Sequence, residues 1–272
     1  LPIRVVAATV ERMSTTSDAA REREQWWEAF YAEGRARWSG KPNGTLVEEV
    51  AGLRPGRALD LGCGQGADAI WLAQQGWTVT AVDIAQTALD TAMRNADAAG
   101  VPSRPARGED SGAASGAQAG AASGTQAGVA SGGQTGAASD AQAGAARDAD
   151  AAVGTIAWER HDLAVSLPAG RFDLVAATFL HSPVDIPRER ILRDVAELIE
   201  PGGTLLVIGH VASPAHQHPE LRDPEQVAAE LALPAERWAL RACESREVEH
   251  RFRDEEPIRR VDGVVRYERL PD

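Results

Sequence analysis

The sequence predicts a doubly wound α/β domain, a mostly parallel sheet with helices on both faces. Three observations predict it. The apolar run Arg57–Leu61 opens directly into a glycine loop, Gly62-Cys63-Gly64-Gln65-Gly66, and from there into a helical pattern from Ala67 to Gln75; this is the order of a strand, a tight turn and a helix. A second pair follows without a break, the strand Thr78–Val82 and the helix Gln86–Ala99. The tail alternates over Trp238–Arg253 and Val264–Leu270 around a turn at Asp262-Gly263, which reads as a hairpin on the edge of the sheet.

Residues 18–33 carry Trp26, Trp27, Phe30 and Tyr31 on one broad apolar helical face. The loop Trp38-Ser39-Gly40-Lys41-Pro42-Asn43-Gly44 is rich in turn formers, and a short helix from Thr45 to Ala51 follows it. Pro55-Gly56 turns the chain into the first strand. Gly76 closes the first crossover helix, and Gly100 and Pro102 stop the second. Thr155–Glu159 is a third strand ending at His161-Asp162, and Phe172–Thr178 is a fourth. Pro187–Ile199 is a helix with proline in its first turn, and Pro201-Gly202-Gly203 is a tight turn into a fifth strand, Thr204–Gly209. Asp223-Pro224 caps a further helix that runs to about Leu231.

Between the second helix and the third strand the pattern breaks. Residues 105–152 are almost entirely Ala, Gly, Ser, Gln and Thr, with a motif from Ala114 that recurs at Ala122, Ala130 and Ala138. Such a segment lacks the apolar side chains that would offset the entropy of ordering it. It reads as a disordered low-complexity insertion in a single domain spanning 17–272. Met13-Ser14-Thr15-Thr16 looks a more ordinary beginning than Leu1, so residues 1–16 are expected to form a disordered leader.

Composition narrows the function. The formal net charge is -12, which leaves no basic footprint for nucleic acid. There are two cysteines, Cys63 and Cys243, too few for a disulfide framework or a cysteine-rich metal site. The early apolar run Val5–Val10 is too short for a membrane span. A cytoplasmic protein acting on a small molecule, without nucleic acid, membrane or metal, is the expectation; nothing in the sequence sets the oligomeric state.

The glycine loop by itself fits two cofactors. Gly62-x-Gly64-x-x-Ala67 satisfies a dinucleotide fingerprint, with Asp83 placed for a ribose. Asp60 argues the other way, because a carboxylate beside a pyrophosphate is repulsive. S-adenosylmethionine (SAM) has no phosphate and carries a sulfonium and an amino group, for which a carboxylate is favourable.

The segments Ala58-Leu59-Asp60-Leu61-Gly62-Cys63-Gly64-Gln65-Gly66, Val79-Thr80-Ala81-Val82-Asp83-Ile84, Phe172-Asp173-Leu174-Val175 and Pro201-Gly202-Gly203-Thr204-Leu205 stand in the order of the class I SAM-dependent methyltransferases. The chain resembles that class over roughly residues 20–100 and 153–270. The resemblance implies a Rossmann-like, seven-stranded sheet whose last strand is antiparallel, with the cofactor across the C-terminal ends of the first strands. It implies that Asp60, Gly62, Cys63, Gly64 and Gly66 face the methionine part, that Asp83 takes both ribose hydroxyls, and that Ile84 packs on the adenine. Asp162 and Leu163 would meet the adenine edge, and Thr178 and Phe179 would line the pocket. Asp83 as a helix cap, Asp162 as a loop cap and Cys63 as a small turn residue are the structural alternatives.

A general base is needed only for acceptors that must lose a proton. His181, in Thr178-Phe179-Leu180-His181-Ser182-Pro183, is the candidate base; the alternative is a hydrogen-bonding pocket wall. His210 ends the fifth strand at the same edge. His216-x-His218 lacks an evident third metal ligand. Trp26-Trp27, Phe30-Tyr31 and the Trp38–Asn43 segment, with Gly76–Asp83, are most similar to the tellurite-resistance and thiopurine-type methyltransferases. That likeness implies a lid contributed by Trp27, Tyr31 and Trp38, and a soft acceptor: a thiol or a chalcogen oxyanion. An O- or N-methyltransferase, an NAD-dependent oxidoreductase and a SAM-binding protein without catalysis are the other readings.

Overall fold

A computed structural model describes residues 3–36, 40–105, 152–211, 221–250 and 258–271. The 105–152 insertion, all but its first and last residues, lies outside the described residues, as do Trp38, His216 and His218.

The strands are β1 (Arg57–Leu61), β2 (Thr78–Asp83), β3 (Ser103–Arg104), β4 (Ile156–Arg160), β5 (Phe172–Thr178), β6 (Ile199–His210), β7 (Trp238–His250) and β8 (Ile258–Arg269). They form one sheet in the order β3-β4-β2-β1-β5-β6-β8-β7. All pairs from β3 to β6 are parallel, and β8 is antiparallel to both β6 and β7. The antiparallel last strand is therefore as expected, while the count among the described residues is eight rather than seven. The extra strand is the two-residue β3, too short to carry a pattern of its own and created by pairing with β4.

The helices are α1 (Ile3–Ala32), α2 (Gly44–Val50), α3 (Ala67–Gln74), α4 (Gln86–Ala98), α5 (Arg188–Ala196) and α6 (Pro224–Leu231). Alternation along each central strand sends apolar residues to both faces, as a doubly covered parallel sheet requires. Ala58, Leu174, Ala176, Leu206 and Ile208 pack with α2, α3 and α4. Leu59, Leu61, Val175, Ala177, Leu205 and Val207 pack with α5 and α6.

Two boundaries differ from expectation. The backbone of α1 is helical from Ile3, where an unstructured leader and a start near residue 18 were expected; no Gly or Pro stands between Ile3 and Glu33 to end the helix. Ile199 belongs to β6 rather than to the preceding helix. The Pro201-Gly202-Gly203 turn is absorbed within that strand: register steps from Phe172↔Ile199 to Leu174↔Thr204, and Gly202 takes φ +83° to make the bulge. Among the described residues no helix is long and apolar enough to cross a membrane.

Candidate functional site

The site begins where β1 ends. Strand alternation turns Asp60 to the α3 face, where it is 2% exposed. Among the described residues its Oδ2 has no hydrogen-bond partner. Burial pushes this carboxyl well above the usual range; the Asp68 and Asp83 carboxylates add to the effect and the Ala69 N–H opposes it. A cation brought beside Asp60 would relieve both effects.

The glycine loop makes the turn with three left-handed residues, Gly62 (φ +66°), Gly64 (φ +52°) and Gly66 (φ +86°). A side chain at Gly66 would strike Trp158 Cη2 at 2.7 Å and Ala92 Cβ at 2.9 Å, so this glycine lets α3 close on the core. A side chain at Gly64 would meet the Tyr31 hydroxyl at 2.9 Å instead. The Gly64 N–H donates to Asp83 Oδ2 (2.9 Å) and the Ala85 N–H to Asp83 Oδ1 (2.9 Å). Each oxygen of Asp83 keeps lone-pair capacity for a further donor. Burial raises this carboxyl to about 6, against the N–H groups of Ala85, Gly64 and Ile84, with Glu28 adding to the rise. Cys63 is half-buried, and burial first, then Asp83 and Asp60, hold its thiol well above the usual value.

A pocket of about 670 Å³, its mouth included, opens at the C-terminal ends of the strands, the edge at which open α/β sheets bind ligands. Gly62, Asp83, Ile84, Asp162, Leu163, Phe179, His181, Trp27 and Tyr31 all line it. Asp60, Cys63, Gly64 and Gly66 stand behind that lining in β1 and the loop. Thr178 and His210 are not on the lining either: Thr178 shares the α3 face of β5 with Ala176, and His210 reaches the pocket through Phe179, on whose ring it stacks at 4.2 Å.

The wall opposite the glycine loop is α1. Arg23, Trp27 and Tyr31 lie one turn apart and all face the pocket. Arg23 is 7% exposed and grips Asp162 from the side, Nε at 3.1 and 3.2 Å and Nη2 at 2.7 Å. Asp162 also accepts the Ala164 N–H at 3.0 Å, the loop-cap geometry weighed for it. Five residues on from Arg23, Glu28 accepts from the Gln86 and Thr87 N–H groups and the Thr87 hydroxyl, closing the start of α4. Sequence reasoning missed Arg23; the spacing of four to Trp27 and four more to Tyr31 is the signal that could have found it.

Phe179 holds φ +54°, a strained conformation for a residue with a side chain. Its ring lies between His210 and the Arg260 guanidinium, 4.6 Å from the latter. Arg260 in turn holds the fully buried Asp262 through Nε (2.9 Å) and Nη2 (3.2 Å), and His210 Nδ1 is 3.9 Å from the same carboxylate. His181 Nε2 accepts the His210 backbone N–H at 3.2 Å. Among the described residues no group of three or more His, Cys, Asp or Glu side chains is arranged to hold a metal ion.

Comparison with known proteins agrees with this fold. A family model described as a methyltransferase domain matches residues 30–251. The ribosomal RNA small subunit methyltransferase C of Alcanivorax borkumensis is 35% identical over 51 residues, 19% of this chain and 16% of that protein's length. Among solved structures, one from work on converting a disulfide bond into a thioacetal group during echinomycin biosynthesis has a TM-score of 0.58 at 19% identity, over 90% of this chain and 92% of the other. TehB from Haemophilus influenzae has a TM-score of 0.52 at 13% identity, over 84% of this chain and 62% of its own. A SAM-dependent methyltransferase from Methanosarcina mazei has 0.51 at 16%, over 85% and 100%. At these identities the structural likeness is one of fold.

Proposed function

The chain belongs to the methyltransferase-domain family, and we propose that it transfers a methyl group from S-adenosylmethionine to a small, soft nucleophile, a thiol or a chalcogen oxyanion. Asp60 carries the reading of the donor: a buried carboxylate oxygen that has no partner among the described residues, beside a glycine loop, suits an ammonium or sulfonium and repels a pyrophosphate. The remaining lone pairs of Asp83 suit two ribose hydroxyls, Ile84 and Leu163 give an apolar slot for adenine, and Asp162, held by Arg23, offers an acceptor to its amino group.

When bound, S-adenosylmethionine supplies a methyl group already activated by its sulfonium. The protein's share is to align and to exclude water. Trp27 and Tyr31 cover the pocket from α1, and Phe179, pinned between His210 and Arg260, shapes the side on which the acceptor would arrive. In the transfer the acceptor's lone pair forms the new bond to the methyl carbon as the carbon–sulfur bond breaks toward sulfur. A thiolate or an oxyanion needs no proton removed at that step, in keeping with a His181 Nε2 already engaged by the His210 N–H. A hydroxyl or amine acceptor is the second reading, favoured by the His210–Asp262 approach.

Thermal shift with S-adenosylhomocysteine and with NAD tests the donor: stabilisation by the first alone is expected, and stabilisation by NAD alone would replace the reading with an oxidoreductase. Turnover on thiols, selenite, tellurite and phenols tests the acceptor. Methylation of phenols alone would select the second reading, and binding without any turnover would make the chain a non-catalytic SAM binder.

A further inference from the structure

Strand β7 closes the sheet at the end opposite β3, so among the described residues one of its edges has no strand beside it. A proline, a bulge or a run of like charge commonly closes such an edge. Past the bulge between Leu240 and Ala242, the stretch Ala242–His250 pairs with β8 without a break and holds no proline or glycine. Its charges are of both signs: Glu244, Glu247 and Glu249 are exposed, as is Arg241 at the bulge, and Arg246 is half-buried.

The far end of this edge has little behind it. β6 pairs with β8 only as far as His210↔Asp262, whereas β7 and β8 continue from Glu247↔Val261 to His250↔Ile258. Among the described residues no third strand flanks that ribbon, and a two-stranded ribbon alone is marginal in water. A further strand along β7 would back it.

The order of charges along β7 is complementary to its own reverse. With a second copy laid antiparallel and a two-fold axis at Ser245, Glu244 stands opposite the partner's Arg246 and Arg241 opposite the partner's Glu249, each twice by symmetry. Ala242 meets the partner's Val248, and no like charges face each other. Neighbouring registers lose this match. An axis at Glu244 or Arg246 sets that residue against itself, an axis between Ser245 and Arg246 sets Glu244 against Glu247, and one between Glu244 and Ser245 forms no ion pair. Within one chain Arg246 holds Glu48 and Glu49 of α2, and its Nε donates to Glu244 Oε1 at 2.7 Å. The axis would join two such Arg246–Glu244 pairs into a ring of alternating sign.

We propose that the outer edge of β7 is a homodimer interface, in which two copies of this chain pair antiparallel in the register centred on Ser245 and join their sheets into one. The inference concerns the β7–β8 hairpin and stands whether or not the pocket takes S-adenosylmethionine.

Sedimentation equilibrium of the full chain, from micromolar to submillimolar concentration, should give twice the chain mass. Glu249→Arg sets like charges opposite each other twice and should weaken the dimer about tenfold or more; adding Arg241→Glu should restore the affinity to within about threefold. Both side chains are exposed, and thermal melts check that each variant folds. In a Cys243→Ser background, Ser245→Cys should form a disulfide across the axis under mild oxidation, because directly opposed residues stand about 4.5–5.5 Å apart. Glu249→Cys should not, since the two copies of residue 249 would lie about 26 Å apart along the strands. A monomer throughout that range would leave the edge to an extended segment of another protein and overturn the proposal. So would a dimer indifferent to Glu249→Arg, or one that Ser245→Cys fails to lock, either of which would put the contact on another surface.

Discussion

In the proposed donor site, Asp83 concentrates the chemistry in one side chain. It ties the glycine loop to β2 through Gly64 and still offers lone pairs to the pocket. Its carboxyl is raised to about 6, so in the ligand-free protein the native state holds the proton more tightly than the unfolded chain. Stability from this group therefore falls as pH rises from near 4 toward about 6 and is level above that. Hydroxyl donors need the ionised form, which reverses the sign for binding. Affinity for S-adenosylhomocysteine should be level at about pH 7–8 and fall by up to about tenfold per unit below about 6. Asp83→Ala should weaken it by more than about tenfold at pH 7.5 and flatten that slope. Calorimetry across the range checks both, and an unchanged affinity would return Asp83 to the role of a loop anchor.

The strand–loop–helix unit from β1 to α3 shows how glycines of one motif divide their tasks. Gly66 answers to packing, because Trp158 and Ala92 are fully buried and cannot withdraw. Gly64 answers to the pocket, because what lies opposite is the end of the Tyr31 side chain. Gly66→Ala should destabilise the protein by about 2–4 kcal/mol, from overpacking together with a strained backbone; urea denaturation measures it. A loss below about 0.5 kcal/mol would mean that the α3–α4 contact is looser than its geometry. The α1 element behaves differently. Its aromatic residues pack on one another, while Arg23–Asp162 and Glu28 at the start of α4 make it a wall of the site. The hydrophobic period could announce the face but not its partners.

At the scale of the molecule, the apolar cores on the two faces of the sheet are built, among the described residues, from side chains on both sides of the insertion in sequence, such as Leu59 and Leu89 before it and Trp158 and Val175 after it. Residues 106–151 are therefore expected to be dispensable. Replacing them with a Gly/Ser linker of about eight residues should leave the melting temperature within about 3 °C and S-adenosylhomocysteine affinity within about twofold. Loss of folding or of binding in that deletion would give the segment a structural part.

Every strand but the two-residue β3, the order of the crossover helices, the glycine turn and the acids on either side of it could be read in the sequence alone. Those signals are local: period-two and helical patterns, glycines at a turn and charges a few residues apart are all read within a short window. Which side chains meet was set by the fold. Arg23 and Asp162 pair across 139 residues of chain, Arg188 faces Gly209 from another element, and His181 spends a nitrogen on the His210 backbone. Such contacts depend on how α1, α5 and β6 converge at one edge of the sheet, and no window of sequence contains both partners. That is why the signals for a methyl donor, Asp60, the glycine loop and Asp83, stand within short windows of sequence, while the contacts that build the opposite wall of the pocket do not.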